Sequence, residues 1–176
     1  MPLLTRWPGT IPAGKRCDGL TSNVDVMPTL LEFAGLTASP RVQGESFAAM
    51  LRDGAGAGRA EIYAEKTYHE HYDPIRCIRT RDAKYIRNFA ERPALVMPSD
   101  VYNSPTRQSM TADEHLWAHR PQEEFYDLAA DCGEWNNLAG KDIRLTELRQ
   151  RLADWMTATG DPLCNGPVPR PAVERQ

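Results

Sequence analysis

The amino-acid sequence predicts an α+β fold, in which a small four-stranded antiparallel sheet packs on one long C-terminal helix and a separate strand and helix come before it. Two observations predict this fold. Four short segments are rich in β-branched and aromatic residues with a period of two: Glu61–Glu65, Arg76–Thr80, Lys84–Asn88 and Glu124–Leu128. A later segment has the apolar spacing of one helix face, at Leu145, Leu148, Leu152 and Trp155.

The first element in chain order is the separate strand and helix. Leu3–Trp7 is short, stops before a Pro-Gly pair and is predicted to be a strand. A helix is predicted to follow Asp25, a good capping residue, with Pro28 in its first turn, where a missing N–H costs nothing. Gly35 is placed to end this helix in a left-handed conformation. Four side chains would form its buried face: Leu30, Leu31, Phe33 and Ala34.

A glycine-rich run over residues 53–58 separates this element from the four strands. Such a composition is flexible and is typical of a boundary between structural units. We therefore expect two domains, residues 1–58 and residues 59–176.

The connections of the second domain are of two kinds. Arg81-Asp82-Ala83 predicts a tight hairpin turn between the two middle strands. The long, polar, Pro-punctuated stretch Ala90–Gln122 predicts a loop that is functional or disordered. Asp142 is placed to cap the last helix.

Length, charge and hydropathy exclude several classes of protein. The 176 residues carry 21 basic and 24 acidic side chains, a formal net charge of −3, which gives no electrostatic footprint for nucleic acid. No apolar run approaches the roughly 18 residues that a membrane span needs. The four cysteines form no CxxC pair and are too few for a disulfide scaffold. Their redox state and the localisation of the protein stay open.

The densest cluster of candidate functional residues is His69-Glu70-His71. On an extended segment the two histidines share a face, where they could bind a metal or an anionic oxygen. The alternative is a solvated loop without a role. Arg76 follows on the next strand, and its guanidinium could help to frame a sulfate or carboxylate. Three further arginines could join it, with a hydrated strand face as the alternative: Arg79, Arg87 and Arg92.

The sequence contains no self-sufficient active site. It has no GxSxG, no P-loop and no glycine-rich dinucleotide motif. It also lacks the clustered aspartates that a Ca²⁺ or Mg²⁺ site requires. Asp127, Asp131 and Glu134 come nearest, and their spacing is more typical of turn chemistry.

Several segments in order resemble the C-terminal part of the sulfatase family, which has the alkaline-phosphatase-like fold. The matching segments are Pro2–Gly9, Ser22–Gly35, Gln43–Phe47 and Glu124–Leu138. Within the family the chain most resembles the heparan N-sulfatases (sulfamidases). That narrower resemblance lies in His69–Arg76, Lys84–Phe89, Tyr102–Thr106 and Thr159–Cys164. Cys132 departs from the pattern, since the family has proline there.

The resemblance implies a fold and a function. Residues 1–58 would be the terminal strand and helix of the catalytic α/β domain, and residues 59–176 the C-terminal subdomain. Complete family members use Ca²⁺ and a formylglycine made from a C/S-x-P-x-R motif, and this sequence contains no such motif. We therefore expect no cofactor in this chain and no sulfatase activity from it alone.

The resemblance also implies a substrate and a partner. The substrate would be a sulfated sugar, contacted by His69, His71 and Arg76, with Glu70 as an orienting or hydroxyl-binding partner. The partner would be the catalytic part, and the exposed α/β edge could also allow self-association.

Two alternatives remain at this stage. The chain could be a non-catalytic carbohydrate-binding or assembly module that pairs with a separate catalytic chain. It could also be a small metalloprotein that uses His69 and His71.

Overall fold

A computed structural model of the chain describes residues 3–56, 58–109 and 118–169. The chain divides into two compact units, Met1–Ile62 and Tyr63–Gln176. The first unit contains a 3-10 turn (Asn23–Asp25), α1 (Val26–Phe33) and α2 (Ala48–Asp53). The remaining elements are β1 (Glu61–Tyr68), β2 (Tyr72–Thr80), β3 (Ala83–Asn88), α3 (Ser99–Tyr102), α4 (Pro105–Ser109), β4 (Glu123–Asp127), α5 (Arg144–Ala158) and a 3-10 turn (Pro162–Asn165).

The four strands form one antiparallel sheet in the order β1-β2-β3-β4, which confirms the predicted sheet. The predicted hairpin turn also forms, because Arg81 and Asp82 alone connect β2 to β3. Ile78 lies opposite Tyr85, and Tyr85 lies opposite Phe125. These three side chains therefore form a row across the sheet, and all three are fully buried.

Helix α5 covers this row and completes the core of the second unit. Four of its side chains are buried at helical spacing: Leu145, Leu148, Leu152 and Met156. The predicted apolar face is confirmed, although Trp155 lies at its margin, half-buried. Its indole stacks on the Tyr63 ring of β1, with the ring centroids 4.7 Å apart. Asp142 Oδ1 accepts a hydrogen bond from the Arg144 amide at 2.9 Å, as expected of a residue at the helix start.

The first unit departs from the sequence prediction in two ways. Leu3–Trp7 is not a strand, because no other strand of the described residues pairs with it. Helix α1 forms and Gly35 ends it at a φ of 72°, but its buried residues are Pro28 and Thr29. Leu30 is 60% exposed, and Ala34 is exposed too. The prediction that these two residues are buried is wrong.

A polar centre explains which face of α1 is buried. The Asp25 carboxylate accepts hydrogen bonds from the amides of Ser22 and Glu45 and from Nε and Nη2 of Arg59, at 2.5–2.9 Å. One turn later the Thr29 hydroxyl donates to the Asp25 carbonyl and accepts from the Phe47 amide. The buried side of α1 is thus the side that carries this network, not the side with the largest apolar residues.

Candidate functional site

The loop between β1 and β2 carries His69, Glu70 and His71, all of them exposed. The His69 amide donates to the His71 carbonyl at 3.3 Å, which closes a three-residue hairpin turn. The three residues therefore lie in a turn and not on an extended segment. The expectation that the two histidines share one face of an extended strand is wrong.

The loop forms one wall of a cleft of about 690 Å³, called here the hairpin cleft. Both sides of the cleft belong to the second unit. It is lined by Glu65, Lys66, Thr67, Tyr68, His69, Glu70, His71, Val96 and Pro98. Three of the four predicted site residues thus meet in one cleft, and a cleft of this volume lies in the range of small-molecule sites, roughly 300–1,000 Å³.

Glu70 connects the two walls of the hairpin cleft. Its Oε2 accepts a hydrogen bond from the Ser99 amide at 2.8 Å and another from the Ser99 hydroxyl. These two bonds to Ser99, together with the nearby charges of His69 and His71, hold the pKa of the Glu70 carboxyl below its usual range. The Glu70 carboxylate therefore links the loop between β1 and β2 to the wall that begins at Val96.

Arg76 is the predicted site residue that the structure places elsewhere. Its side chain is 1% exposed and pairs with the Asp161 carboxylate, which is 2% exposed. All five N–H donors of the guanidinium are used, on both Asp161 oxygens, the Thr67 hydroxyl and the carbonyls of Lys66 and Ile75. No donor remains for a sugar or a sulfate, so the prediction that Arg76 contacts substrate is wrong. Arg76 is a structural residue.

The other arginines do not converge on one anion either. Arg79 Nη1 lies 3.8 Å from Glu134 Oε1, and the guanidinium of Arg87 lies over the Phe89 ring. Arg92 donates from Nε and Nη2 to the Tyr72 carbonyl, at 3.0 and 2.6 Å. Of the two alternatives left open by the sequence, the four-arginine frame does not form, because each side chain has its own partner.

Lys66 is a cleft residue that the sequence did not single out. Its Nζ lies 2.5 Å from Oδ2 of Asp73, a fully buried carboxylate that Arg120 also contacts. Burial alone would raise the pKa of Asp73, but the hydrogen bonds from Arg120 and Lys66 outweigh burial and lower it. Two cations thus share one carboxylate beneath the cleft. No local pattern indicates this, because Asp73 and Arg120 are 47 residues apart.

A second, smaller cleft of about 350 Å³ lies in the same unit and is called here the loop cleft. It is lined by His71, Arg92, Pro93, Leu95, Val96, Met97, Ser99, Tyr102 and Asn103. Most of these residues belong to the long stretch that the sequence predicted to be a functional or disordered loop. Its described part lines a cleft, and residues 110–117 of that stretch lie outside the described residues.

Metal-binding and membrane-spanning features are not found in the described residues. No group of three or more His, Cys, Asp or Glu side chains in residues 3–56, 58–109 and 118–169 could hold a metal ion. None of the helices in those ranges is long and apolar enough to cross a membrane.

A family model identifies the chain. The model described as N-sulphoglucosamine sulphohydrolase, C-terminal, matches residues 1–114. The chain belongs to this sulfatase family. The match includes the first unit, the strands β1 and β2, and all the lining residues of the hairpin cleft.

Relatives of this sulfatase domain agree with the family. The chain is 30% identical to an ulvan-active sulfatase of Formosa agariphila, over 91% of this chain and 29% of the relative. It is also 30% identical to an N-acetylglucosamine-6-O-sulfatase of Bacteroides thetaiotaomicron, over 80% of this chain and 21% of the relative. The chain therefore spans less than a third of the length of these two sulfatases.

The fold of the sulfatase domain matches a solved structure. That protein is in complex with its substrate, D-glucosamine-2-N,6-O-disulfate. The two chains are 26% identical with a TM-score of 0.64, over 92% of this chain and 28% of the other.

Proposed function

We propose that this chain is the C-terminal part of a sulfatase that hydrolyses a sulfate ester or sulfamate on a sulfated sugar, and that the hairpin cleft contacts that sugar. The observation that carries the proposal is the meeting of His69, His71 and Lys66 around one open cleft. Imidazole N–H groups and an ammonium are donors that suit sulfate and hydroxyl oxygens.

The acidic side chains of the cleft do not oppose this assignment. The two acidic lining residues are Glu65, whose Oε2 lies 3.6 Å from Nε of Arg76, and Glu70, which accepts hydrogen bonds from Ser99. The buried carboxylate of Asp73, which pairs with Lys66, is shared with Arg120. Their charges are thus satisfied by groups of the protein, which reduces the repulsion that an anionic sugar would meet. A relative's complex with a disulfated glucosamine supports the same class of ligand.

We further propose that the first unit packs against the catalytic part of the enzyme. Its N-terminal segment and α1 line an apolar cleft of about 210 Å³ that includes Leu3, Trp7, Leu30 and Phe33. Leu4 and Leu36 are also largely exposed. Contiguous apolar surface of this kind marks an interaction site. The catalytic part would supply the nucleophile and the metal, and this chain would supply sugar contacts.

The proposal predicts sugar binding without turnover. The chain alone should not hydrolyse an aryl sulfate or N-sulfoglucosamine, because the sequence lacks the C/S-x-P-x-R motif. Turnover by the purified chain, abolished by His69→Ala, would contradict this part of the proposal.

Calorimetric titration with D-glucosamine-2-N,6-O-disulfate tests the cleft. The double variant His69→Ala/His71→Ala should bind the sugar at least about tenfold more weakly, because the loss of even one charged hydrogen bond has an effect of that size. The matched control is His119→Ala, because His119 is exposed and lines neither cleft. Equal weakening by both variants would contradict the assignment of the hairpin cleft.

The alternative of a separate module makes the same contacts with sugar but differs in assembly. Size-exclusion chromatography tests whether the apolar surface of the first unit is one that another part of the enzyme covers. Self-association of the chain, relieved by Leu30→Asn, would support a surface that another part of the enzyme covers, whereas a clean monomer at high concentration would argue against it.

A further inference from the structure

Three charged side chains meet beneath the hairpin cleft and are called here the Asp73 triad. The Asp73 carboxylate lies at the centre, and the cations of Lys66 and Arg120 both contact it. Asp73 is fully buried and Arg120 is 8% exposed, whereas 38% of the Lys66 side chain reaches solvent. Lys66 is also the member that lines the cleft. The triad therefore meets the cleft through Lys66.

The two cations contact Asp73 in different ways. Nη2 of Arg120 donates to Oδ1 of Asp73, and Nη1 donates to Oδ2 at 3.3 Å, so the guanidinium engages both carboxylate oxygens. Lys66 Nζ lies 2.5 Å from Oδ2 alone. An ammonium has three N–H donors, so the contact with Asp73 leaves donors for a ligand in the cleft.

The charges of the Asp73 triad do not cancel. Among the residues that the structure describes, Asp73 is the only carboxylate that pairs with Lys66 or Arg120. Two cations that share one carboxylate leave one positive charge in excess, and this excess lies at the partly exposed Lys66. The acidic lining residues of the cleft have other partners, which are Arg76 for Glu65 and Ser99 for Glu70.

Arg120 is fixed in place but does not line the cleft. Its amide donates to the Arg92 carbonyl at 3.2 Å, and Nε and Nη2 of Arg92 donate to the carbonyl of Tyr72, the residue before Asp73. These bonds hold Arg120 against the start of β2. Any effect of Arg120 on a ligand in the cleft must therefore pass through Asp73 and Lys66.

We propose that Arg120 is a positioning residue for the hairpin cleft, which acts through Asp73 and leaves Lys66 the charge that binds a sulfate group of the sugar. Without Arg120, Lys66 would be the sole counter-ion of a buried carboxylate, and a sulfate would compete with that carboxylate for it. With Arg120 present, Asp73 orients the Lys66 ammonium without neutralising it. This inference rests on the proposed function, because it needs a sulfated sugar in the hairpin cleft.

Calorimetric titration of the full chain with D-glucosamine-2-N,6-O-disulfate, at about 0.05 M and about 0.5 M NaCl, tests the inference. Lys66→Met and Arg120→Met each remove one cation and leave Asp73 paired with the other, which avoids an unpaired buried carboxylate. Both variants should bind the sugar about tenfold more weakly at the lower salt concentration, the effect of one charged hydrogen bond.

The salt dependence separates loss of charge from loss of structure. Salt screens charges, so the affinity of the unsubstituted chain should fall as NaCl rises. Lys66→Met and Arg120→Met should flatten this fall, whereas Arg120→Lys, which retains the cation, should keep it. A disturbed fold would instead weaken binding equally at both salt concentrations.

Lys84→Met is the matched control for Lys66→Met. Lys84 and Arg79 likewise share one carboxylate, that of Glu134, and neither of them lines the hairpin cleft. The control should therefore bind the sugar as the unsubstituted chain does. Circular dichroism checks that each variant folds. If Arg120→Met does not fold, Lys66→Met and Arg120→Lys still measure the same charge.

The possible failures are distinguishable. If the chain binds the sugar, and Lys66→Met or Arg120→Met keeps the affinity and salt dependence of the unsubstituted chain, the inference fails and the proposed function stands. The inference also fails if Arg120→Met weakens binding equally at both salt concentrations, or if Arg120→Lys loses the salt dependence. If the unsubstituted chain does not bind the sugar at either concentration, the proposed function fails and the inference fails with it.

Discussion

The two units of the chain are stabilised by different means. The second unit has an apolar core between its sheet and α5, with Tyr85, Phe125 and Leu152 almost fully buried. The first unit is organised around the Asp25 carboxylate, while Leu4 and Leu30 of its apolar side chains remain exposed. The second unit therefore has an apolar core of its own, whereas the first unit exposes an apolar surface on its N-terminal segment and α1, which we propose another part of the enzyme covers.

The largest expected effect is in the second unit, on its buried ion pair. Arg76→Ala leaves the Asp161 carboxylate buried and without its cation, and should lower the free energy of unfolding by about 4 kcal/mol. Urea denaturation measures this loss. Arg16→Ala is the matched control, because the Arg16–Asp18 pair is exposed and should contribute under about 0.5 kcal/mol. A loss for Arg76→Ala as small as that of the control would contradict the structural role.

The second-largest loss of unfolding free energy is expected in the first unit. Asp25→Asn removes the charge that pairs with Arg59 and should destabilise this unit by about 3 kcal/mol, a smaller effect because Arg59 reaches solvent. Hydrogen exchange locates the change. The amides of Ser22 and Glu45, which donate to Asp25, should exchange faster, while those of the sheet keep their rates. Equally faster amide exchange in both units would show that the hydrogen bonds of Asp25 do not stabilise the first unit alone.

Acid should weaken both units. Burial alone would raise the pKa of the Asp25 and Asp161 carboxyls, but hydrogen bonds from Arg59 and Arg76 respectively outweigh it and lower both pKa values. A carboxyl whose pKa is lowered on folding stabilises the protein above its unfolded pKa, here 3.8, and loses that contribution as pH falls through the folded pKa. Unfolding free energies measured from pH 7 down to pH 3 should therefore decrease, and Asp25→Asn should flatten the decrease in the first unit. A stability that rises below pH 4 would contradict the ion pairs.

The smallest effect is expected at the exposed face of α1. Leu30→Asn should change the free energy of unfolding by under about 0.5 kcal/mol, because Leu30 is already largely exposed. Thermal denaturation measures this. A loss of more than about 1 kcal/mol would mean that Leu30 stabilises the unit itself and is not available to a partner.

Local patterns predicted the second unit well. The strands, the hairpin turn at Arg81-Asp82 and the spacing of Leu145, Leu148 and Leu152 depend on neighbours within a few residues, which a sequence displays directly. The His69–His71 cluster was located for the same reason, since a hairpin turn keeps adjacent residues together.

The errors came from pairings that are distant in sequence. The sequence suggests that Arg76, an arginine on a strand, reaches solvent. The structure buries it instead, because it pairs with Asp161, which is 85 residues away. Leu30 has the spacing of a buried helix face, but the bonds of Asp25 to Glu45 and Arg59 turn that face outward. Long-range ionic and hydrogen-bonded pairs leave no periodic signal in a sequence, and here they decide which side chains reach solvent.

The most direct test of the central claim, that the hairpin cleft contacts a sulfated sugar, is a nuclear magnetic resonance titration of the chain with D-glucosamine-2-N,6-O-disulfate. The account predicts the largest shifts at Thr67–His71 and at Val96, with the first unit unchanged. Shifts centred on the first unit, or none at millimolar sugar, would contradict it.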